Sequence, residues 1–207
     1  MKKSVVFLVA IAFFLGGVGI AQAVPLFFSG TGHYYEFFQF PQGSQVPWNT
    51  AKLDAESRSF TPPGSSTALQ GYLATITSAE EHNFIVNVLG GSGWLGGSDE
   101  TTEGEWFWVT GPEAGQQFWS GGVAGTPVGG MFENWGNGEP NNLGNEDYLA
   151  MGGAPGWWND VPGADPSNFQ NYVVEYGSSP VPEPATMLLL GSGLIGLVGF
   201  GRRLRNS

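Results

Sequence analysis

Oxygen donors crowd into one stretch of this chain. Glu139-Pro140-Asn141-Asn142 and Asn145-Glu146-Asp147 lie side by side, and Trp157-Trp158-Asn159-Asp160 follows soon after. Carboxylate and amide oxygens gathered in loops, with no basic residue between them, suit a hard cation taking roughly six to eight oxygen ligands. That chemistry points to calcium and away from zinc or copper. Cysteine is absent and histidine occurs only at His33 and His82. Thiolate metal sites, disulfides and a cysteine nucleophile are therefore excluded. Neither histidine sits beside a credible Ser and Asp, so triad hydrolysis has no support. Glu139 and Glu146 have the residue types of a glycosidase pair, but the asparagines beside them are better ligands than catalysts.

These donors must be positioned by a body of modest size. The chain has 207 residues, 41% hydrophobic and 14% aromatic, with 7 basic and 18 acidic side chains. Between residues 24 and 177 only Lys52 and Arg58 are basic, against seventeen carboxylates. Such a surface repels phosphate backbones and excludes nucleic-acid binding. Its carboxylates are expected either to be solvated or to hold metal.

His33 to Phe40 reads as an aromatic strand. Trp48, Ala51 and Ala55 fall at helical spacing, in a helix that ends before Thr61-Pro62-Pro63-Gly64. Gly71 to Ile76 is a short strand leading to a second helix. Ser78 and Glu81 form its capping box, with Thr77 and Glu80 as the alternative register. Phe84, Ile85, Val88 and Leu89 are its predicted inward stripe, and Gly90-Gly91 stops it. Glu105 to Val109 and Asn171 to Tyr176 read as strands. Gly111 to Pro166 is rich in Gly, Pro, Asn and Asp, and so long an irregular segment must be functional or pinned. Trp94, Trp106, Trp108 and Trp158 are expected in the core, with Trp119 and Trp135 open to core or ligand roles. His33 is read as a packing residue, His82 as exposed on its helix, and Gly96-Gly97 and Gly129-Gly130 as turns.

The ends read as addresses. Lys2-Lys3, the apolar run Val5 to Ile20 and Ala21-Gln22-Ala23 predict a signal peptide over residues 1–23. A body of residues 24–178 precedes a segment over 179–207. There Val181-Pro182-Glu183-Pro184 leads into the apolar run Ala185 to Phe200 and then Arg202-Arg203-Leu204-Arg205. The basic end is expected to stay cytoplasmic, with the body outside. This order resembles the PEP-CTERM sorting tail of Gram-negative, exopolysaccharide-producing bacteria. The resemblance implies processing by an exosortase-type enzyme, membrane contact only through the C-terminal helix before processing, and a final place in the cell envelope, cell surface or extracellular matrix.

The body resembles the C-type lectin domain from Gly32 to Tyr176. Gly71 to Glu81 is similar to the segment entering the family's second helix, and Trp94-Leu95-Gly96-Gly97 to its Trp-Ile-Gly-Leu motif. Glu139-Pro140-Asn141 matches the Glu-Pro-Asn triplet of mannose-type members, and Trp158-Asn159-Asp160 the Trp-Asn-Asp motif. The resemblance implies an α+β fold with two helices, antiparallel sheets and a long calcium-binding loop region. It further implies one calcium held by Glu139, Asn141, Glu146, Asn159 and Asp160, and a cis Glu139-Pro140 peptide. The same five residues would bind a glycan or exopolysaccharide through vicinal diols of the mannose, glucose or fucose kind. An auxiliary calcium would use Asp99 and Glu103 with Asn142, Glu146 and Asp147. The expected function is calcium-dependent carbohydrate binding without enzymatic activity; the alternative is a protein-binding or structural lectin-like module. The family's usual disulfides are lacking, since their expected second-half positions hold Tyr148, Gly163 and Val174.

Overall fold

The structure is a computed structural model and describes residues 24–40, 46–163 and 171–178. The leader and sorting segments expected from sequence lie outside the described residues. In chain order the elements are β1 (Leu26–Phe28), β2 (His33–Gln39), α1 (Trp48–Ser57), β3 (Ser59–Phe60), β4 (Leu69–Leu73) and α2 (Ala79–Phe84), which runs into a π-helical turn Ile85–Leu89. There follow β5 (Gly93–Ser98), β6 (Glu105–Trp108), β7 (Gln117–Ser120), β8 (Thr126–Pro127), β9 (Tyr148–Met151), β10 (Trp158–Val161) and β11 (Asn171–Gly177).

β11 is the axis of the sheet. It pairs antiparallel with β2 and β4, and parallel with β5 where Tyr172 meets Trp94. β5 carries the sheet onward to β6 on one side and to β9 and β10 on the other. Residues 172–177 of β11 are all buried because both faces are covered. Val173 enters one apolar cluster with Leu95, Ile85 and the tryptophans, while Tyr172 and Val174 enter another with Trp48, Ala51 and Ala55 of α1. The period-two alternation of a strand separates the two faces.

Ser78 caps α2 by accepting the Glu81 N–H at 3.2 Å, so the first of the two capping registers holds. The Glu81 carboxylate takes the Thr77 N–H at 2.8 Å instead of returning to Ser78. The inward stripe needs correction. The π turn widens the helix, so Val86 is buried in place of Val88, which is 63% exposed. Gly90, at φ 70°, ends the element.

One further expectation is corrected. Gly96 and Gly97 are not a turn but lie inside buried strand β5, where a Cβ on Gly96 would overlap the Thr110 hydroxyl. The stretch Gly111 to Pro166 is largely irregular over its described residues, as read, but it also contributes the short strands β7, β8, β9 and β10. Its tryptophans build the floor under the loops. Trp108 stacks on Phe118 with centroids 4.4 Å apart, and Trp158 meets Trp108, Phe118, Phe132 and Trp135 edge-on. Such pairs contribute about 0.5–1.5 kcal/mol each beyond their buried area.

Candidate functional site

Strand ends bring the oxygen donors to one edge of the sheet. Ser98 of β5 lies opposite Tyr148 of β9, and the next residue, Asp99, donates its N–H to the Asp147 carbonyl at 3.2 Å. Asp160 of β10 lies opposite Leu149 of β9. The segment 139–147 folds across this edge onto Asp160, whose carboxylate accepts the Asn141 N–H at 3.1 Å and the Asn142 N–H at 2.6 Å. The Asn141 amide donates to the Glu139 carboxylate. The Leu143 N–H lies 2.8 Å from the Asn141 side-chain oxygen and 2.9 Å from Glu146 Oε2, so these two oxygens flank one donor. Glu146 in turn donates its N–H to Asn142 Oδ1 at 2.8 Å. The Glu139-Pro140 peptide is cis, as the sequence led one to expect. Asn142 and Asn145 adopt positive φ of 50° and 72°, a region asparagine enters more readily than most residues.

Charge accumulates here without a counterion. Lys52 and Arg58 are both committed to α1, pairing with Glu56 at 2.5 Å and Asp54 at 2.7 Å. Burial, together with the hydrogen bond and charge of Asp160, pushes the Glu139 carboxyl up to about 7. Burial, with Glu103, Asp147 and Asp160 nearby, pushes Asp99 up to about 7 against the Gly104 N–H, which favours its charged form. Glu146 and Glu103 are raised for the same leading reason. Asp99 Oδ1 and Asn159 Oδ1 are buried with no hydrogen-bond partner. Among the described residues no three His, Asp or Glu side chains form a group able to hold a metal ion unaided, so any ion must also draw on amide oxygens. An all-oxygen donor set, excess negative charge and two orphaned buried oxygens fit a hard divalent cation.

The geometry links Glu139, Asn141 and Asp160 directly and Glu146 through the Leu143 N–H it shares with Asn141, and Asn159 adjoins Asp160 on β10. Of the auxiliary set, Asp99 and Asp147 lie together, and Glu103, exposed at the end of its turn, also reaches the Asp99 side chain. Asn142 Oδ1 is occupied by its own loop, and Asp147 Oδ2 accepts the Asn145 amide at 2.6 Å.

A family model for the lectin C-type domain matches residues 67–174, and one for the PEP-CTERM protein-sorting motif matches residues 180–205. The chain belongs to the C-type lectin family. Halomucin of Haloquadratum walsbyi is 38% identical to this C-type lectin over 148 residues, covering 71% of the chain and 2% of halomucin. Hepatic lectin of Gallus gallus is 29% identical over 136 residues, covering 65% and 51%. A solved mouse scavenger receptor C-type lectin carbohydrate-recognition domain shares 25% identity with a TM-score of 0.47, covering 73% of this chain and 94% of that one. The lectin thus spans about half or less of these two curated relatives. Its family is one of carbohydrate-binding domains and points to a non-catalytic binding protein, and its sorting motif implies export to the cell envelope.

Several features of this lectin escape a reading by residue type. His82 is not exposed; it is 5% accessible, and its Nε2 lies 3.2 Å from both the Pro155 carbonyl and the Asn134 amide. His33 does more than pack, since its Nδ1 lies 2.5 Å from Glu175 Oε1. Tyr35 contacts both Glu81, at 2.6 Å, and Glu175, at 3.1 Å. Glu81 and Glu175 are each 1% exposed, so carboxylates far from the loop edge are neither solvated nor part of the donor cluster. A lone Glu in the apolar run Tyr172 to Tyr176 was the available signal. Trp119 and Trp135 pack with the core, whereas Trp157 is 59% exposed.

Proposed function

We propose that this C-type lectin binds carbohydrate in a calcium-dependent manner at the envelope or exopolysaccharide matrix of a Gram-negative bacterium. Glu139, Asn141, Glu146, Asn159 and Asp160 would hold the ion, and Asp99 and Glu103 with Asn142, Glu146 and Asp147 an auxiliary one. The bound ion supplies coordination sites for two vicinal hydroxyls of a mannose, glucose or fucose type. The carboxylates then accept, and the asparagine amides donate, hydrogen bonds to those hydroxyls. The observation that carries this reading is the edge at which segment 139–147 closes on Asp160 while Asn159 Oδ1 remains buried and unpartnered. The sorting motif would present the body, residues 24–178, outside the cell after the 1–23 leader is removed. A shallow single site gains useful avidity on a repeating polymer.

The test is a calorimetric titration of the full-length chain with calcium and then with mannose. Calcium is expected to bind first and to be required for mannose, and the double variant Glu139→Gln, Asn141→Asp to lose mannose binding at least tenfold. Glycan binding that persists in chelator defeats the reading in favour of a lectin-like module using a different surface.

A further inference from the structure

We propose that Trp157 is a saccharide-stacking platform that extends the diol site to a second sugar residue of the same glycan chain. The inference rests on the sugar-site reading above and adds to it a residue outside the ion-holding set. Six other tryptophans are at most 7% exposed or packed against the core, and Trp48 is 3% exposed; Trp157 alone presents most of its indole to solvent, at 59%. A lone exposed apolar side chain needs no explanation by itself, but an indole beside the donor edge offers a flat apolar face to a ligand.

Its placement ties it to the donor edge in two ways. Trp157 directly precedes β10, and its carbonyl accepts the Gly152 N–H at 3.0 Å, so the extended ladder with β9 continues through it. Alternation therefore sends Trp157 to the same face as Asn159, while Trp158 between them is fully buried. The second tie crosses Gly136. A Cβ built there would lie 3.5 Å from Glu139 Cγ and 3.7 Å from Trp157 Cβ, so both side chains start beside one bare glycine. Gly136 is itself anchored by its N–H to the Trp158 carbonyl at 2.8 Å. Gly136 itself puts no side chain between Glu139 and Trp157.

The backbone that presents the ring is fixed from both sides. The Gly156 carbonyl accepts the Asn134 amide at 3.0 Å, and the Trp158 N–H donates to the Asn134 carbonyl at 2.8 Å. Among the described residues the indole makes no ring contact, so it is free to meet a ligand. A pyranose offers a matching apolar C–H face on the side opposite its hydroxyls. A glycan whose one residue is held at Glu139 and Asn159 would lay its neighbour across Trp157. A preorganised platform of this kind adds affinity at little ordering cost.

Full-length chain in saturating calcium, titrated calorimetrically with mannose and with a linear α-linked mannotriose, tests this. The trisaccharide is expected to bind about tenfold tighter than mannose. Trp157→Ala should leave calcium and mannose affinity unchanged and reduce the trisaccharide to the level of mannose, while Trp157→Tyr should keep most of the gain. Acrylamide quenching gives a second readout: the trisaccharide should shield an exposed indole in the native chain, and the Trp157→Ala variant should show no such change. Equal trisaccharide affinity in native chain and Trp157→Ala overturns the platform and leaves the diol site standing. A native chain that binds calcium but neither sugar overturns both.

Discussion

At Glu139 and Asp160 two carboxyl groups approach within interaction distance with no cation among the described residues to separate them. Burial first, then the hydrogen bond and charge of Asp160, push the Glu139 carboxyl up to about 7, and one proton or one divalent ion relieves the repulsion. Glu139→Gln removes one proposed ligand and one repelling charge at once. It should weaken calcium binding tenfold or more, yet in chelator at pH 8 it should melt no lower than the native chain. A drop in the chelator melting temperature would show instead that the carboxylate stabilises the fold by itself. Glu81 makes a parallel case in the interior. Burial, with Glu175 second, pushes its carboxyl up to about 7. A carboxyl raised in the folded state stabilises below its unfolded pKa and loses that contribution as pH climbs through the folded value. Glu81→Gln should therefore flatten the fall in stability between about pH 5 and 8, a change on the order of 2 kcal/mol, read from melting curves across that range.

At the scale of elements, packing stands where covalent bridges would. Gly163 admits the Tyr148 ring so closely that a Cβ would overlap it, and Tyr148 in turn lies against Trp48 with centroids 4.6 Å apart. Val174 of β11 shares a cluster with Ala55 of α1 across Gly71. Gly163→Ala should destabilise by about 1–3 kcal/mol through forced movement of that ring, and Trp108→Ala, which empties the centre of the aromatic floor, by about 3–5 kcal/mol; calorimetric unfolding separates the two. Helix α1 and strands β2 and β11 could be read from sequence because their apolar spacing is regular over seven or more residues. β7, β8 and β9 could not, since each is two to four residues long and set among glycines and prolines, while β10 was legible only through the Trp-Asn-Asp resemblance. The π turn defeats any stripe drawn at 3.6 residues. The donor residues were legible as types, but their order around Asp160 depends on backbone N–H groups that every sequence contains. Trp157 was hidden because one tryptophan among eight carries no mark of exposure until strand alternation is known.

For the molecule as a whole, the proposed calcium site would set protons and calcium in competition for the same excess of negative charge. Seventeen carboxylates in the body face two basic residues, both tied to α1. The residue types alone place the competition near the ordinary carboxylate range, around pH 4. With Asp99 and Glu139 both raised to about 7, it moves up toward neutrality. The signs then differ between the two states of the lectin. In chelator, Asp99, Glu139 and Glu81 each favour the folded form at low pH, and His33, raised above 6.5 by its hydrogen bond to Glu175, adds in the same direction. His82, lowered by burial, opposes them by losing its contribution as pH falls. The melting temperature in chelator should therefore decline from pH 5.5 to 8. In calcium the ion must displace those protons at pH 5.5 but finds the carboxylates already charged at pH 8, so its stabilisation grows over the same interval. At a hundredfold excess over Kd it reaches about 2.7 kcal/mol, a rise of roughly 5–10 °C for a body of this size. Melting curves at pH 5.5, 6.5 and 8, each with calcium and with chelator, should diverge steadily, and a gap that stays constant across the three would mean that the raised carboxyls and the ion do not share a site.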